Sequence, residues 1–234
     1  MKISNIPISF TDISKDDCAR WKKTLSTILA SLPLGELKHV PCINIHKTLI
    51  SALYNTFDKS LEQIDDVAKH YFSINVWAFA HLYGDSKFPV NDPRRNESIV
   101  LVSKAGIPST HKVPLELTVF HEIGHFYIKN ENNIELTRWS GNEFEVELMC
   151  DRYSLMAYVR MVWMFPEYNT INTSDSIERF SKYIFKCISD CNAGNKPTSK
   201  KCYEIADKIM KELKWKKVYQ EMYVQSPFYN SAGK

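Results

Sequence analysis

His121-Glu122-Ile123-Gly124-His125, followed further on by Glu143-Phe144-Glu145-Val146-Glu147-Leu148-Met149-Cys150-Asp151, decides how this chain is read. On a helix, residues four apart stand one above the other on a single face, so the imidazoles of His121 and His125 can reach one metal ion. Glu122 points about a quarter-turn away, where its carboxylate can hold and deprotonate a water rather than join the same coordination plane. An HExxH pattern arises by accident in a chain of this composition roughly once in a hundred. Two histidines in register with an intervening Glu are poorly explained as core packing.

Two nitrogen ligands need a third. Glu143, Glu145 and Glu147 are the candidates, and only Glu147 is followed one helical turn later by an Asp, Asp151. Both carboxylates then share a face aimed at the histidines. A ligating His donates its second ring N–H to a carboxylate or carbonyl that fixes its orientation, and Asp151 suits that role. The bland alternative, an exposed acidic helix face, loses weight because HEIGH lies just upstream. The predicted site is therefore zinc held by His121, His125 and Glu147, with Glu122 as general base and Asp151 as orienter. Three protein ligands leave a position open for catalysis, whereas a structural zinc is closed by four, often cysteines. Cys150 falls off the ligand face and is expected in the core.

Gly124 sits inside this helix, where Gly costs about 1 kcal/mol relative to Ala. Close approach of another chain segment beside the metal is the predicted reason.

Composition narrows the class. The 234 residues suffice for one domain with a real core, and the net charge of +3, from 30 basic and 27 acidic residues, gives no footprint for direct nucleic-acid or membrane binding. Lys211, Lys214, Lys216 and Lys217 read as a solvated helix face. No apolar run approaches the ~18 residues that span a bilayer, and the start, MKISNIPISF, lacks a signal-peptide core. A soluble, cytoplasmic protein is expected. Cys18, Cys42, Cys150, Cys187, Cys191 and Cys202 include no CxxC pair, which suits free thiols. A second metal site at Cys187, Cys191 and Cys202 is weighed against buried helix thiols, and the thiols are preferred.

The hydrophobic pattern predicts helices over Asp16–Leu32, capped by Ser14 or Asp16, and over His46–Tyr71. Strands are predicted at Ser73–Leu82 and Ser98–Ser103. Further helices are expected over Lys112–Lys129, with Ser109 or Thr110 as cap, and over Asn142–Phe165, Asp175–Cys191 and Pro197–Tyr223.

HEIGH followed by Glu147-x-x-x-Asp151 resembles the zincin metallopeptidases of the Glu-ligand type. With a strand just before the active-site helix, and with Cys150-Asp151-Arg152-Tyr153-Ser154-Leu155-Met156 similar to the segment after the ligand Glu, the chain looks most like the soluble proteases related to the ImmA/IrrE family. The resemblance covers about residues 95 to 165. It departs from the family at Phe120, where Ala is usual, and at Met149 and Cys150, where Glu-Ala is usual. No helix-turn-helix is recognisable in residues 1 to 70.

The resemblance implies an α+β, zincin-like fold, mainly helical with a small sheet next to the active-site helix. It implies one domain over 1–234, with the catalytic core at about 73–165 and helical extensions at 1–72 and 166–234. It also implies Zn2+ as cofactor and a protein or peptide substrate, a transcriptional regulator or repressor among them. The substrate is expected to add as a strand along Ser98–Ser103. Tyr127, Tyr153, Tyr158 and His111 are candidate oxyanion donors. Two alternatives stay open: a catalytically silent zincin scaffold that captures a partner, and a zinc hydrolase of a non-peptide amide.

Overall fold

The structure, a computed structural model, describes residues 6–57, 63–64, 78–82, 87–89, 92, 95–103, 115–132, 143–165, 198–212 and 214. These contain α+β architecture: strands β1 (Ile8–Thr11), β2 (Cys42–His46), β3 (Ala78–His81) and β4 (Ser98–Val102), and helices α1 (Lys15–Ala30), α2 (Leu34–Leu37), α3 (Leu49–Thr56), α4 (Leu115–Asn132), α5 (Glu143–Met164) and α6 (Ser199–Glu212). The chain divides into two compact units, Met1–His111 with His125–Tyr127, and Lys112–Gly124 with Ile128–Lys234. The division falls within the 73–165 stretch, between β4 and α4, with His125–Tyr127 of α4 assigned to the first unit.

In the first unit the strands form one mixed sheet in the order β1-β2-β4-β3. β1, β2 and β4 run parallel, with Ile43 opposite Ile8 and Ile99, and β3 closes the edge antiparallel, with Phe79 opposite Val100. β4, Ser-Ile-Val-Leu-Val, is buried at every residue, as a central strand covered on both faces must be. Its two neighbours take both of its backbone edges, so the expected addition of a substrate strand along Ser98–Ser103 is ruled out. A strand in mid-sheet has no free hydrogen-bonding edge.

α1 follows its 3.6-residue pattern, burying Trp21, Leu25, Ile28 and Leu29. Ser14 is the cap: its Oγ accepts from Asp17 N at 3.1 Å, and Asp16 and Asp17 place negative charge in the first turn. The helix expected from His46 starts later. His46 ends β2, Thr48 Oγ1 accepts from Ser51 N at 3.1 Å, and α3 runs from Leu49 until Phe57 turns extended at φ −114°, ψ 143°. Leu49, Ala52 and Leu53 of α3 pack with Val100, Val102 and Ile64. Phe57 stacks on Phe79 and His81 at 5.6 and 5.9 Å between ring centroids.

The sequence reading missed β1 and β2. Ile43 and Ile45 alternate with Asn44 and His46 at the two-residue period of a strand, and the helix expected from His46 overlaps β2 at its last residue alone. Of the strand expected at Ser73–Leu82, Ala78–His81 is a strand and residues 73–77 lie outside the described residues.

The second unit is helical. α4 and α5 cover the spans expected for Lys112–Lys129 and Asn142–Phe165 within a few residues, and the cap proposed at Ser109 or Thr110 lies outside the described residues. α6 realises the first part of the helix expected over Pro197–Tyr223, burying Cys202, Ile205, Ala206 and Ile209. It is tied to α5 by Arg152, whose Nε and Nη2 donate to the two carboxylate oxygens of Asp207 at 2.5 and 2.8 Å while its guanidinium lies 4.7 Å over the Tyr203 ring. Arg160 Nη2, buried on α5, donates to Ser199 Oγ at 3.2 Å. The helix expected over Asp175–Cys191, with two of the three cysteines of the alternative metal site, falls outside the described residues. No described helix is long and apolar enough to cross a membrane.

Candidate metal centre

α4 and α5 meet along a line of polar and close contacts that run in opposite order on the two helices, so the pair is antiparallel. Ser154 Oγ donates to the Leu117 carbonyl at 2.7 Å. One turn further along α4, His121 meets α5 twice: its Nδ1 lies 2.8 Å from Asp151 Oδ1 and its Nε2 3.0 Å from Glu147 Oε2. Beyond His121, Gly124 lies against Cys150 and Tyr153. His125 follows one turn after His121 on the same helix.

Glu147 and Asp151 reach the same ring because they are four residues apart on α5 and lie on one face. Glu145, two residues from Glu147, is exposed. Glu147, the candidate ligand, thus stands beside His121 together with Asp151. The side chain of Glu143 lies outside what the structure describes.

The electrostatics of His121 follow from its partners. Burial acts to lower its pKa, but the hydrogen bonds to Asp151 and Glu147, and their charges, outweigh this and hold it well above the ordinary imidazole value. Carboxylates only accept, so each contact that is a hydrogen bond has the ring N–H as its donor. Cys150 beside them is fully buried, and burial, followed by the charges of Glu147, Glu122 and Asp151, pushes its thiol pKa well up. It is the core residue expected. None of the described cysteines, Cys18, Cys42, Cys150 and Cys202, is in a disulfide.

Among the described residues, one group of ligand atoms is gathered tightly enough to hold a metal: His121, His125 and Glu147, all within 4.8 Å of one another. Two imidazole nitrogens and one carboxylate oxygen are the donors of a catalytic zinc site, with a fourth position left for water or substrate. The 3.0 Å between His121 Nε2 and Glu147 Oε2 is close to the ~3.4 Å edge of a tetrahedron with zinc–ligand distances of about 2.1 Å. The residues present fit the ion. Glu122, the predicted base, is 6% exposed, a rare position for a carboxylate.

Of the four candidate oxyanion donors, Tyr153 and Tyr158 are buried, and burial, followed by the Glu116 charge, raises the Tyr158 pKa. Tyr127 makes an edge contact with His39 at 6.0 Å, and His111 lies outside the described residues. Ser154 is the positional element that sequence reasoning missed. Its signal was available: it stands three residues after Asp151 and seven after Glu147, on the same face of α5.

Comparison of the chain with protein-family models, with curated proteins and with solved structures returns no match, so the helix pair itself carries the functional argument.

Proposed function

We propose that this chain is a zinc-dependent endopeptidase that hydrolyses peptide bonds of a protein substrate. The observation that carries the reading is the His121 ring held between Asp151 and Glu147, with His125 and Glu147 offering further ligand atoms within 4.8 Å. His121, His125 and Glu147 would hold the ion. Zinc bound by such a set supplies a Lewis acid for a carbonyl oxygen and lowers the pKa of water to about 7.

The chain's own residues do the rest. Asp151 accepts from His121 Nδ1–H, which leaves Nε2 as the ligating nitrogen and fixes the plane of the ring. Glu122 accepts the proton of the attacking water and passes it to the leaving amine as general base and acid. The resemblance to ImmA/IrrE-like proteases adds a transcriptional regulator as the kind of protein to try first as substrate.

The test is to incubate the zinc-loaded full-length protein with a proteome-derived peptide library and sequence the new termini. The proposal expects cleavage that a zinc chelator stops. A zinc-loaded protein that produces no new termini, yet retains a bound partner whether or not zinc is present, would favour the silent scaffold and overturn the peptidase reading.

A further inference from the structure

Resting on the zinc-site reading, we infer that Gly124 is a positioning residue for the metal centre: its missing side chain lets α4 lie against the α5 backbone at Cys150, and so sets how closely His121 meets Glu147 and Asp151. Gly124 stands three residues after His121 and one before His125. A Cβ at this position would come within 3.2 Å of Tyr153 Cδ1, 3.3 Å of Cys150 Cα and 3.4 Å of Cys150 O.

The contacts to Tyr153 Cδ1 and Cys150 Cα are tighter than ordinary van der Waals approach, and the second is to backbone, as is the 3.4 Å contact that sits at the limit. A flexible side-chain end could swing away; the Cys150 main chain cannot move without its neighbours. Cys150 directly precedes Asp151 and lies one turn after Glu147, so a shift there of a few tenths of an ångström carries both carboxylates with it. The pair is also fastened on the other side of His121 by the Ser154–Leu117 hydrogen bond. Room made at residue 124 therefore tilts the helices about that bond and opens the His121 contacts. Metal sites tolerate only about 0.2 Å of error in ligand distance, which makes affinity the sensitive readout.

Helix propensity alone predicts the opposite sign. Gly124 is not held in a left-handed conformation, and Ala is the better helix former, so a glycine of no positional consequence would give a more stable protein with unchanged metal binding when replaced.

The experiment compares full-length wild type with Gly124→Ala. Zn2+ affinity is measured by competition with a chromophoric chelator, the Tm of the metal-free protein by circular dichroism, and the site geometry by the visible spectrum of the Co2+-loaded protein. The expected result is zinc binding weaker by about tenfold or more, with a shifted Co2+ spectrum and helical content retained. Adding Tyr153→Leu removes the ring contact and leaves the backbone contacts, so it should restore affinity only in part. If Gly124→Ala is too unstable to purify, the double variant is read in its place.

Zinc affinity within about twofold of wild type in Gly124→Ala, or full recovery in the double variant, overturns the inference and leaves the zinc site standing. A wild type that takes up no zinc overturns both.

Discussion

His46 and His121 are both removed from bulk water, and the chain treats them in opposite ways. His46 closes β2 at 3% exposure, with its Nδ1 3.4 Å from the Ser51 hydroxyl. Burial drives its pKa down to about 4, and the Asp12 charge offsets this only in part. His121 on α4 has carboxylates on both ring nitrogens, at 2.8 and 3.0 Å, and its pKa is held well up. Burial alone makes a neutral structural imidazole. A carboxylate bracket makes one whose charged form is favoured. This contrast separates a candidate site histidine from a core histidine more sharply than exposure does.

The contrast can be broken apart by experiment. The largest effect should come from Glu122→Gln, which leaves the His121 bracket intact and removes the base. Peptide cleavage should fall by about 10²–10⁴-fold while zinc content stays at the wild-type level. Cleavage at the normal rate would show that Glu122 is not the base.

On the other side of the comparison, His46 gives a pH dependence of stability. Above about pH 6.5 it is neutral in both folded and unfolded chains and costs nothing. Between pH 6.5 and about 4 the unfolded chain takes up a proton that the folded one refuses, so stability falls as pH falls. At 1.36 kcal/mol per pH unit the loss approaches roughly 3 kcal/mol. Urea denaturation across this range should show that loss in wild type and a correspondingly flatter profile in His46→Leu. Parallel profiles would mean that His46 is not held neutral.

A smaller effect is expected at the orienting carboxylate. Asp151→Ala removes one half of the bracket and should weaken zinc binding by about 10–100-fold without removing a ligand. An unchanged dissociation constant in a chelator competition would reduce Asp151 to an ordinary buried acid. The Arg152–Asp207 pair is about half exposed at both ends, and Arg152→Ala should cost under about 1 kcal/mol in thermal or urea unfolding, less at high salt. A cost of several kcal/mol would contradict its description as a surface tie.

The site was far more legible in the sequence than the sheet. HEIGH and the Glu147–Asp151 spacing are local patterns: each lies within two helical turns, and helix geometry alone dictates which side chains share a face. The bracket on His121, the buried position of Cys150 and the tight approach at Gly124 follow from them. The sheet depends on pairings between residues far apart in the chain, such as Ile8 with Ile43 and Ile43 with Ile99. Nothing local in Ile8–Thr11 distinguishes a four-residue edge strand from a loop. The apolar run of Ser98–Val102 marks β4 as a strand, but its central place is set by β2, a strand that the sequence reading does not include. Without β2 beside it, β4 looks open to an added substrate strand. The His46 boundary was recoverable, since Thr48 is a good cap and Ile43 and Ile45 alternate with polar residues.

The central claim is that His121, His125 and Glu147 hold one zinc ion, and it is tested most directly by titrating the metal-free full-length protein and its Glu147→Ala variant with Zn2+. The account predicts one tightly bound zinc per chain in wild type and loss of that tight binding in the variant. No zinc uptake by wild type, or the same stoichiometry and affinity in both proteins, would contradict it.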